Sequence, residues 1–386
     1  MTTVRPARAG GPGGPTLLVM DTPPAAAPDG FDELLRSRVV IVTGKGGVGK
    51  TTVAASLALA GVASGRRTLL VEVEGRQGFH RAFGTAPWDY TEREFRPGLW
   101  GAALDPAESV YEYLELFYGL KRVQWFMERS NALDFVTTAA PGLRDLLLIG
   151  KVYEIEARKR EDGRRQYDLI VVDAPPTGRI VPFLEAPEGV TEIVRVGPIK
   201  RQAGQIKDML QNPRRVQAVV VTLLEEMPVQ EAVEGVAALS RAGVAVGPIV
   251  ANQVRRRRLG AADAAALADL GADGLRTRAA EVGATLSGRT AELTLALVDQ
   301  HRRRLELQAE LRGTLAARTG RPVLSLPLLT GATFDASDLE VLGDALAVQV
   351  GEDGPRAAGL LDDLVDDTSA AADDTSAAAD DGEVAP

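Results

Sequence analysis

The sequence predicts an α/β fold in which a mostly parallel, doubly wound sheet carries helices on both faces. Six short runs rich in β-branched and apolar residues recur along the chain, and stretches with helical periodicity separate them. The runs are continuously apolar, which is typical of strands that are covered on both faces and joined by helical crossovers. The predicted strands are residues 38–43, 67–73, 167–173, 216–223, 244–252 and 322–328.

Composition limits the kinds of site that this chain can build. Of its 386 residues, 45% are hydrophobic, which is enough for a large core. The chain has no cysteine and two histidines, so we expect neither a zinc site nor an iron–sulfur cluster. No run of about 18 apolar residues is present, and no signal peptide is evident. We therefore expect a soluble, cytoplasmic protein.

Charge and low-complexity segments divide the chain into three parts. Residues 1–30 are rich in Pro, Gly and Ala and are predicted to be disordered. Residues 352–386 carry eleven acidic residues and one Arg, contain a repeated Asp-Asp-Thr-Ser-Ala-Ala-Ala segment, and are predicted to form a disordered acidic tail. The domain between them, residues 31–351, is predicted to contain helical insertions at about 104–160 and 260–319. The charge of residues 1–351 is close to zero, which argues against a nucleic-acid partner.

A phosphate-binding loop follows the first predicted strand. Its residues are Gly44, Lys45, Gly46, Gly47, Val48, Gly49, Lys50 and Thr51. The glycines let backbone N–H groups face phosphate oxygens, and the helix that begins at Thr51 adds its dipole. We expect Lys50 to reach the β- and γ-phosphates, the Thr51 hydroxyl to bind Mg²⁺, and Thr52 to line the site. The loop therefore predicts binding of ATP with Mg²⁺.

The third predicted strand ends at a carboxylate. Asp173 follows an apolar run and begins a turn made of Ala174, Pro175, Pro176, Thr177 and Gly178. Ligands of open α/β sheets bind at the carboxyl ends of the strands, where Asp173 is expected to lie. It is a candidate for outer-shell coordination of Mg²⁺, and the turn is a candidate switch near the γ-phosphate. A simple helix N-cap is the alternative role for Asp173.

Together these segments resemble the arsenite-pump ATPase (ArsA) and tail-anchored-protein targeting factor family over roughly residues 38–350. The matching segments include the loop with its additional lysine, residues 71–84, residues 173–187, residues 222–231, residues 250–253 and residues 325–329. In this family the additional lysine, here Lys45, reaches the phosphates of a second subunit. The resemblance implies that Glu225 contacts ATP, that Asn252 binds adenine, and that Pro327 and Leu328 border adenine.

The chain departs from the family pattern at the first switch. The family has an Asp that positions the attacking water, and here Glu74, followed by Gly75, stands at that position. A glutamate can orient water with a reach one methylene longer, so the expected catalytic residues are Lys45, Lys50 and Glu74. Glu72 is a weaker candidate for this role. Slow hydrolysis is one consequence that the substitution leaves open.

Partners follow from the single P-loop, because a composite site then needs a second chain. The sequence predicts a homodimer or a heterodimer with a related ATPase chain, which couples its nucleotide state to a protein client or membrane partner. Two alternatives stay open: a nucleotide-bound, weakly hydrolysing or non-hydrolysing subunit of a heterodimer, and a positioning ATPase of the partition or cell-division type. An aromatic-rich stretch at residues 104–136 is predicted to be core, dimer interface or a hydrophobic partner groove.

Overall fold

The computed structural model describes residues 34, 36–73, 78–106, 108, 109, 112, 142–193, 197–330 and 334–349. The predicted disordered ends, residues 1–30 and 352–386, lie outside the described residues. So do the aromatic side chains of the stretch at residues 110–136.

The described strands form a single eight-stranded sheet with the order β3-β4-β2-β5-β1-β6-β7-β8. The strand bounds are β1 Val39–Gly44, β2 Thr68–Glu72, β3 Arg93–Arg96, β4 Leu99–Ala103, β5 Leu169–Asp173, β6 Val216–Leu223, β7 Val246–Val254 and β8 Val323–Pro327. Every neighbouring pair is parallel except β3 and β4. The predicted mostly parallel α/β fold is therefore confirmed.

The helices that flank these strands are α1 to α9. Their bounds are α1 Lys50–Ala63, α2 Gly78–Phe83, α3 Leu143–Ala157, α4 Thr177–Ile193, α5 Pro198–Leu210, α6 Glu226–Arg241, α7 Ala261–Glu281, α8 Gly288–Thr319 and α9 Ala336–Val348. Alternate strand residues point to opposite faces, so the apolar strands feed two separate cores. One core contains residues of α1, α2 and α9, and the other contains residues of α3, α4, α5 and α6. Helices on both faces explain why the central strands are continuously apolar.

Two strands, β3 and β4, were missed in the sequence. Strand β3 (Arg-Glu-Phe-Arg) is polar and largely exposed at the sheet edge, so it lacks the apolar pattern that marked the other strands. The hairpin is held by an aromatic cluster in which Trp88 stacks on Phe79 at 5.2 Å and contacts Phe95 at 4.9 Å between ring centroids. A Cβ at Gly101 would lie 2.7 Å from the Trp88 ring, so glycine is needed in β4 for this contact.

Helices α7 and α8 connect β7 to β8 along the chain and pack against each other. The segment predicted as the second helical insertion, residues 260–319, thus consists of these two helices, with a break in α7 at Gly271 where φ is 63°. Most of α8 is exposed, and its buried residues are Ala291 and Leu315. None of the helices in the described part of the chain combines the length and the apolar character needed to cross a membrane.

Candidate nucleotide site

The phosphate-binding loop joins the central strand β1 to helix α1. Gly49 precedes α1 with φ of 90°, and a Cβ there would lie 2.2 Å from Nδ2 of Asn252. Gly44 ends β1, and a Cβ there would lie 2.2 Å from the carbonyl oxygen of Val221. Glycine is therefore required at both ends of the loop, at Gly49 for backbone conformation and space and at Gly44 because β6 approaches closely.

The amino end of α1 has features that favour a bound anion. This helix has no acidic residue in its first turn and no side-chain cap, so its first N–H groups and its positive dipole end face the loop. The remaining predicted loop residues, Gly46, Gly47 and Val48, complete the turn between Lys45 and Gly49. The Lys50 side chain lies over this turn, and its Nζ donates to the carbonyl oxygen of Lys45 at 3.0 Å.

Thr51 and Asp173 meet at the carboxyl edge of the sheet. The Thr51 hydroxyl donates to Oδ2 of Asp173 at 2.7 Å, across 122 residues of sequence. Asp173 is the last residue of β5, which lies next to β1, and its exposure is 8%. A hydroxyl and a carboxylate are the hard oxygen donors that Mg²⁺ prefers when phosphates supply its other ligands. The described residues contain no group of three or more His, Cys, Asp or Glu suited to a metal ion, and this arrangement does not need one.

The predicted first switch, with Glu74 and Gly75, lies outside the described residues, but its flanks border Asp173 on one side and Thr51 on the other. On one flank, Glu72 is the strand partner of Asp173. On the other flank, the N–H of Gly78 donates to Oε1 of Glu72 at 3.3 Å, and a Cβ at Gly78 would lie 2.9 Å from Cγ2 of Thr51. Residues 74–77 thus connect two points that both border the Thr51–Asp173 pair.

We call residues 173–178 the second switch segment. The Thr43 hydroxyl donates to the Pro175 carbonyl oxygen at 2.7 Å, which ties the segment to β1. The Pro176 carbonyl accepts from the N–H of Ile180 at 3.0 Å, and α4 begins at Thr177, followed by the exposed Gly178. Asp173 is thus held at the strand end by its Thr51 contact as well as by the turn that follows it.

The residue predicted to contact ATP, Glu225, and those predicted to bind or border adenine, Asn252, Pro327 and Leu328, lie in or directly after three adjacent strands. Glu225 is exposed two residues after the end of β6, and Asn252 lies in β7, where Leu223 is its strand partner. Pro327 pairs with Val254, and the Leu328 N–H donates to the Val254 carbonyl at 2.8 Å. Thr52, predicted to line the site, lies in the first turn of α1. The sheet order therefore collects these residues on the β6–β8 side of the loop.

Asn252 makes a contact that the sequence did not predict. Its Nδ2 donates to the carbonyl oxygen of Val48 at 2.9 Å, and its exposure is 4%. The side chain therefore supports the phosphate-binding loop from below, at the position where Gly49 leaves room for it.

Glu231, on α6, was also missed. Its Oε1 accepts from Nζ of Lys45 at 2.6 Å, across 186 residues of sequence. Glu231 is the last residue of the matching segment 222–231, but nothing in that segment shows that it meets Lys45, because the two residues are far apart along the chain.

Comparison with known proteins agrees with this geometry. Residues 37–203 match a family model described as anion-transporting ATPase. The chain is 38% identical to the ATPase BagA of Mycobacterium tuberculosis (strain H37Rv) over 320 residues, which cover 81% of this chain and 93% of that protein. It is 25% identical over 231 residues to a protein of Halobacterium salinarum provisionally named arsenical pump-driving ATPase, covering 56% of this chain and 35% of that protein. A protein of Aquifex aeolicus provisionally named arsenical pump-driving ATPase 2 is 23% identical over 245 residues, covering 56% and 80%.

Proposed function

We propose, from the premise that this chain belongs to the anion-transporting ATPase family and is an ATPase, that it hydrolyses ATP with Mg²⁺ as a dimer. The observation that carries the proposal is the 2.7 Å hydrogen bond between Thr51 and Asp173 beside the phosphate-binding loop. It joins the loop hydroxyl to the strand-end carboxylate at the edge of a parallel sheet where nucleotides bind.

The loop supplies most of the proposed phosphate binding. The N–H groups at the start of α1 face the negatively charged phosphates, and the Lys50 ammonium exchanges the Lys45 carbonyl for a phosphate oxygen. Preorganised donors of this kind stabilise charge that develops on the transferred phosphoryl group. When bound, Mg²⁺ would be held by Thr51 directly and by Asp173 in its outer shell, and would neutralise part of the phosphate charge.

Positioning of the attacking water is assigned to Glu74, by its place in the family pattern. Both flanks of its segment border the Thr51–Asp173 pair, which supports a role next to the γ-phosphate. Because a glutamate carboxylate reaches one methylene further than the aspartate of the family pattern, we expect a slower reaction.

Lys45 supports the dimeric form of the proposal. Its ammonium is directed to Glu231 on α6, and 41% of its side chain is exposed. A second subunit that faces this edge would receive the ammonium at its nucleotide. Closing two subunits over two nucleotides then makes the catalytic unit, and we propose that this closure is coupled to a protein or membrane-protein partner in the cytoplasm.

The proposal is tested by steady-state ATPase assays at several protein concentrations, with Mg²⁺ and with a chelator. We expect turnover per chain to rise with protein concentration, as dimer formation requires, and to vanish without Mg²⁺. Lys50→Ala should weaken ATP binding by at least about 100-fold. Lys45→Ala should bind ATP normally in each subunit and lose about 10²- to 10³-fold in turnover. Lys207→Ala, at a surface lysine paired with Glu188, is the control and should behave like the wild type.

One outcome would favour the other role considered for this chain. If the wild type binds Mg²⁺–ATP tightly but shows no turnover, alone or with a co-purifying related chain, then it is a nucleotide-bound subunit and hydrolysis by this site is excluded.

A further inference from the structure

An ion pair inside one chain occupies the lysine that the dimer would need. Nζ of Lys45 lies 2.6 Å from Oε1 of Glu231, and the two side chains are 41% and 31% exposed. Glu231 lies in the second turn of α6, which follows β6, and β6 is the neighbour of β1. Both side chains can therefore be reached by a second molecule while they hold each other.

While the Lys45 ammonium is paired with Glu231, it cannot bind the phosphates of a second subunit. A lysine Nζ held at 2.6 Å from a carboxylate must leave that carboxylate to approach the phosphates of a facing subunit. The Glu231 carboxylate also adds a negative charge at an edge where phosphate charge would approach. The pair therefore opposes closure of the dimer until the phosphates replace Glu231.

From these contacts we propose that Glu231 is a latch, meaning an intrachain carboxylate that holds Lys45 until the nucleotide of a second copy takes it. This inference rests on the proposed dimeric function and adds a positioning residue to it. Glu231 raises the protein concentration at which dimers form. Hydrolysis therefore stays low at concentrations where most of the protein is monomeric.

The helix that carries the latch also touches the second switch segment. One turn after Glu231, Gly235 faces Thr177: a Cβ on this glycine would lie 3.0 Å from Cγ2 of Thr177. The loop side chain and the switch segment thus rest on one face of α6. Release of Lys45 removes one contact from the helix that packs on the segment beginning at Asp173, so the latch and the metal side of the site share one supporting element.

The backbone of Lys45 is occupied as well. Its carbonyl accepts from Lys50 Nζ at 3.0 Å, so both lysines of the loop are held by protein groups. ATP binding within one chain exchanges the partner of Lys50, and the second chain exchanges the partner of Lys45. ATP therefore binds first, within one chain, and hydrolysis follows only after the second chain has taken Lys45.

The test measures dimer formation by sedimentation with Mg²⁺ and the slowly hydrolysed analogue ATPγS. Because each dimer breaks two latches, Glu231→Ala is expected to lower the half-maximal protein concentration for dimerisation by about 2- to 30-fold. The ATPase activity should reach its half-maximal value at a correspondingly lower protein concentration. Glu231→Gln, which keeps the side-chain size, should shift both in the same direction and covers the case in which the alanine variant does not fold.

A double-variant cycle separates a latch from a general effect on the fold. In a Lys45→Ala background, Glu231→Ala should change the dimerisation concentration much less than in the wild type, because the ammonium it holds is gone and only the repulsion between its carboxylate and the phosphates is left to remove. Glu234→Gln, an exposed acidic residue on the same helix that accepts a hydrogen bond from Gln230, is the matched control and should leave dimerisation unchanged.

Two results would overturn the proposals in different ways. If Glu231→Ala leaves the dimerisation concentration unchanged or raises it while Lys45→Ala abolishes turnover, the latch is wrong and the proposed function stands. If Lys45→Ala changes neither dimerisation nor turnover, the dimeric role of Lys45 fails, and the latch fails with it.

Discussion

Substitution of Glu156 is expected to destabilise the fold strongly without altering the nucleotide site. This carboxylate lies in the last turn of α3, and 2% of its side chain is exposed. It accepts from Arg38 at 2.9 Å, from Arg165 at 3.1 Å and from Arg215 at 2.5 Å. Arg38 precedes β1 and Arg215 precedes β6, so one side chain joins the amino ends of neighbouring strands.

The expected loss of stability follows from the balance of charges around Glu156. Glu156→Gln leaves three guanidinium groups close together around a neutral amide. Removing one partner of a buried ion pair costs about 3–5 kcal/mol, because the remaining charge is buried without compensation. The guanidinium groups are 24–39% exposed and keep part of their hydration, so we expect the lower end, about 3 kcal/mol. That is a large fraction of the ~5–15 kcal/mol that separates folded from unfolded domains.

Urea unfolding at pH 7 measures this loss directly, with Glu161→Gln as the control. Glu161 is an exposed acidic residue of the segment before β5, and its substitution should change the free energy of unfolding by about 0.5 kcal/mol or less. The ATPase turnover of folded Glu156→Gln should equal that of the wild type, because β1 separates Glu156 from the phosphate-binding loop. A loss below about 1 kcal/mol would refute the charge argument.

The same carboxylate predicts a pH dependence. Burial raises the pKa of Glu156, but hydrogen bonds from Arg215 and Arg38 outweigh burial, and the pKa lies below its ordinary value of 4.5. A group whose pKa is lower in the folded state stabilises the fold above its unfolded pKa and loses that contribution as the pH falls through the folded pKa. The difference between wild type and Glu156→Gln should therefore be complete at pH 7 and shrink below about pH 4.5. A constant difference down to pH 3 would contradict this explanation.

Three further substitutions test the nucleotide site. Gly49→Ala should destabilise the protein by about 2 kcal/mol and weaken ATP binding at least about tenfold, because φ is 90° and the new Cβ would meet the Asn252 amide at 2.2 Å. Gly46→Ala, where a Cβ meets nothing within 4 Å, is the stability control in thermal unfolding, and equal losses would contradict the steric argument. Asp173→Asn should lower turnover at least about 100-fold and raise the Mg²⁺ concentration needed for half-maximal rate, and an unchanged Mg²⁺ titration would remove Asp173 from the metal site. Asn252→Asp should weaken ATP binding by about 5- to 150-fold in calorimetry, because a carboxylate oxygen would then face the Val48 carbonyl at the 2.9 Å contact. Unchanged affinity would show that this contact does not support the loop.

Local patterns in the sequence were enough to predict much of the fold. The strands β1, β5 and β6 were predicted within one or two residues, since each is a short, continuously apolar run. The edge strand β3 was missed for the opposite reason: none of its residues is buried, and its polar sequence resembles that of a loop. Burial on both faces made the central strands recognisable, but it was not sufficient, because the buried strand β4 (Leu-Trp-Gly-Ala-Ala) lacks β-branched residues and was also missed.

Site residues divide in the same way. The loop from Gly44 to Thr51 is contiguous, so its glycines, lysine and hydroxyl can be recognised together. Asp173 was predicted because a carboxylate that ends an apolar strand must lie at the carboxyl edge of a parallel sheet. Its hydrogen bond to Thr51 follows once β5 and β1 are neighbours, and the sheet order supplies that fact.

The sequence by itself determined that this chain has a phosphate-binding loop, a strand-end carboxylate and a parallel α/β sheet, because each depends on residues that are close along the chain. Only the tertiary structure decided which distant charges meet. Lys45 pairs with Glu231, which is 186 residues away along the chain, and Arg38 pairs with Glu156, which is 118 residues away. Such pairs depend on the order of strands and the packing of helices on them, and Coulomb attraction between side chains acts only after the fold has brought them within a few ångströms.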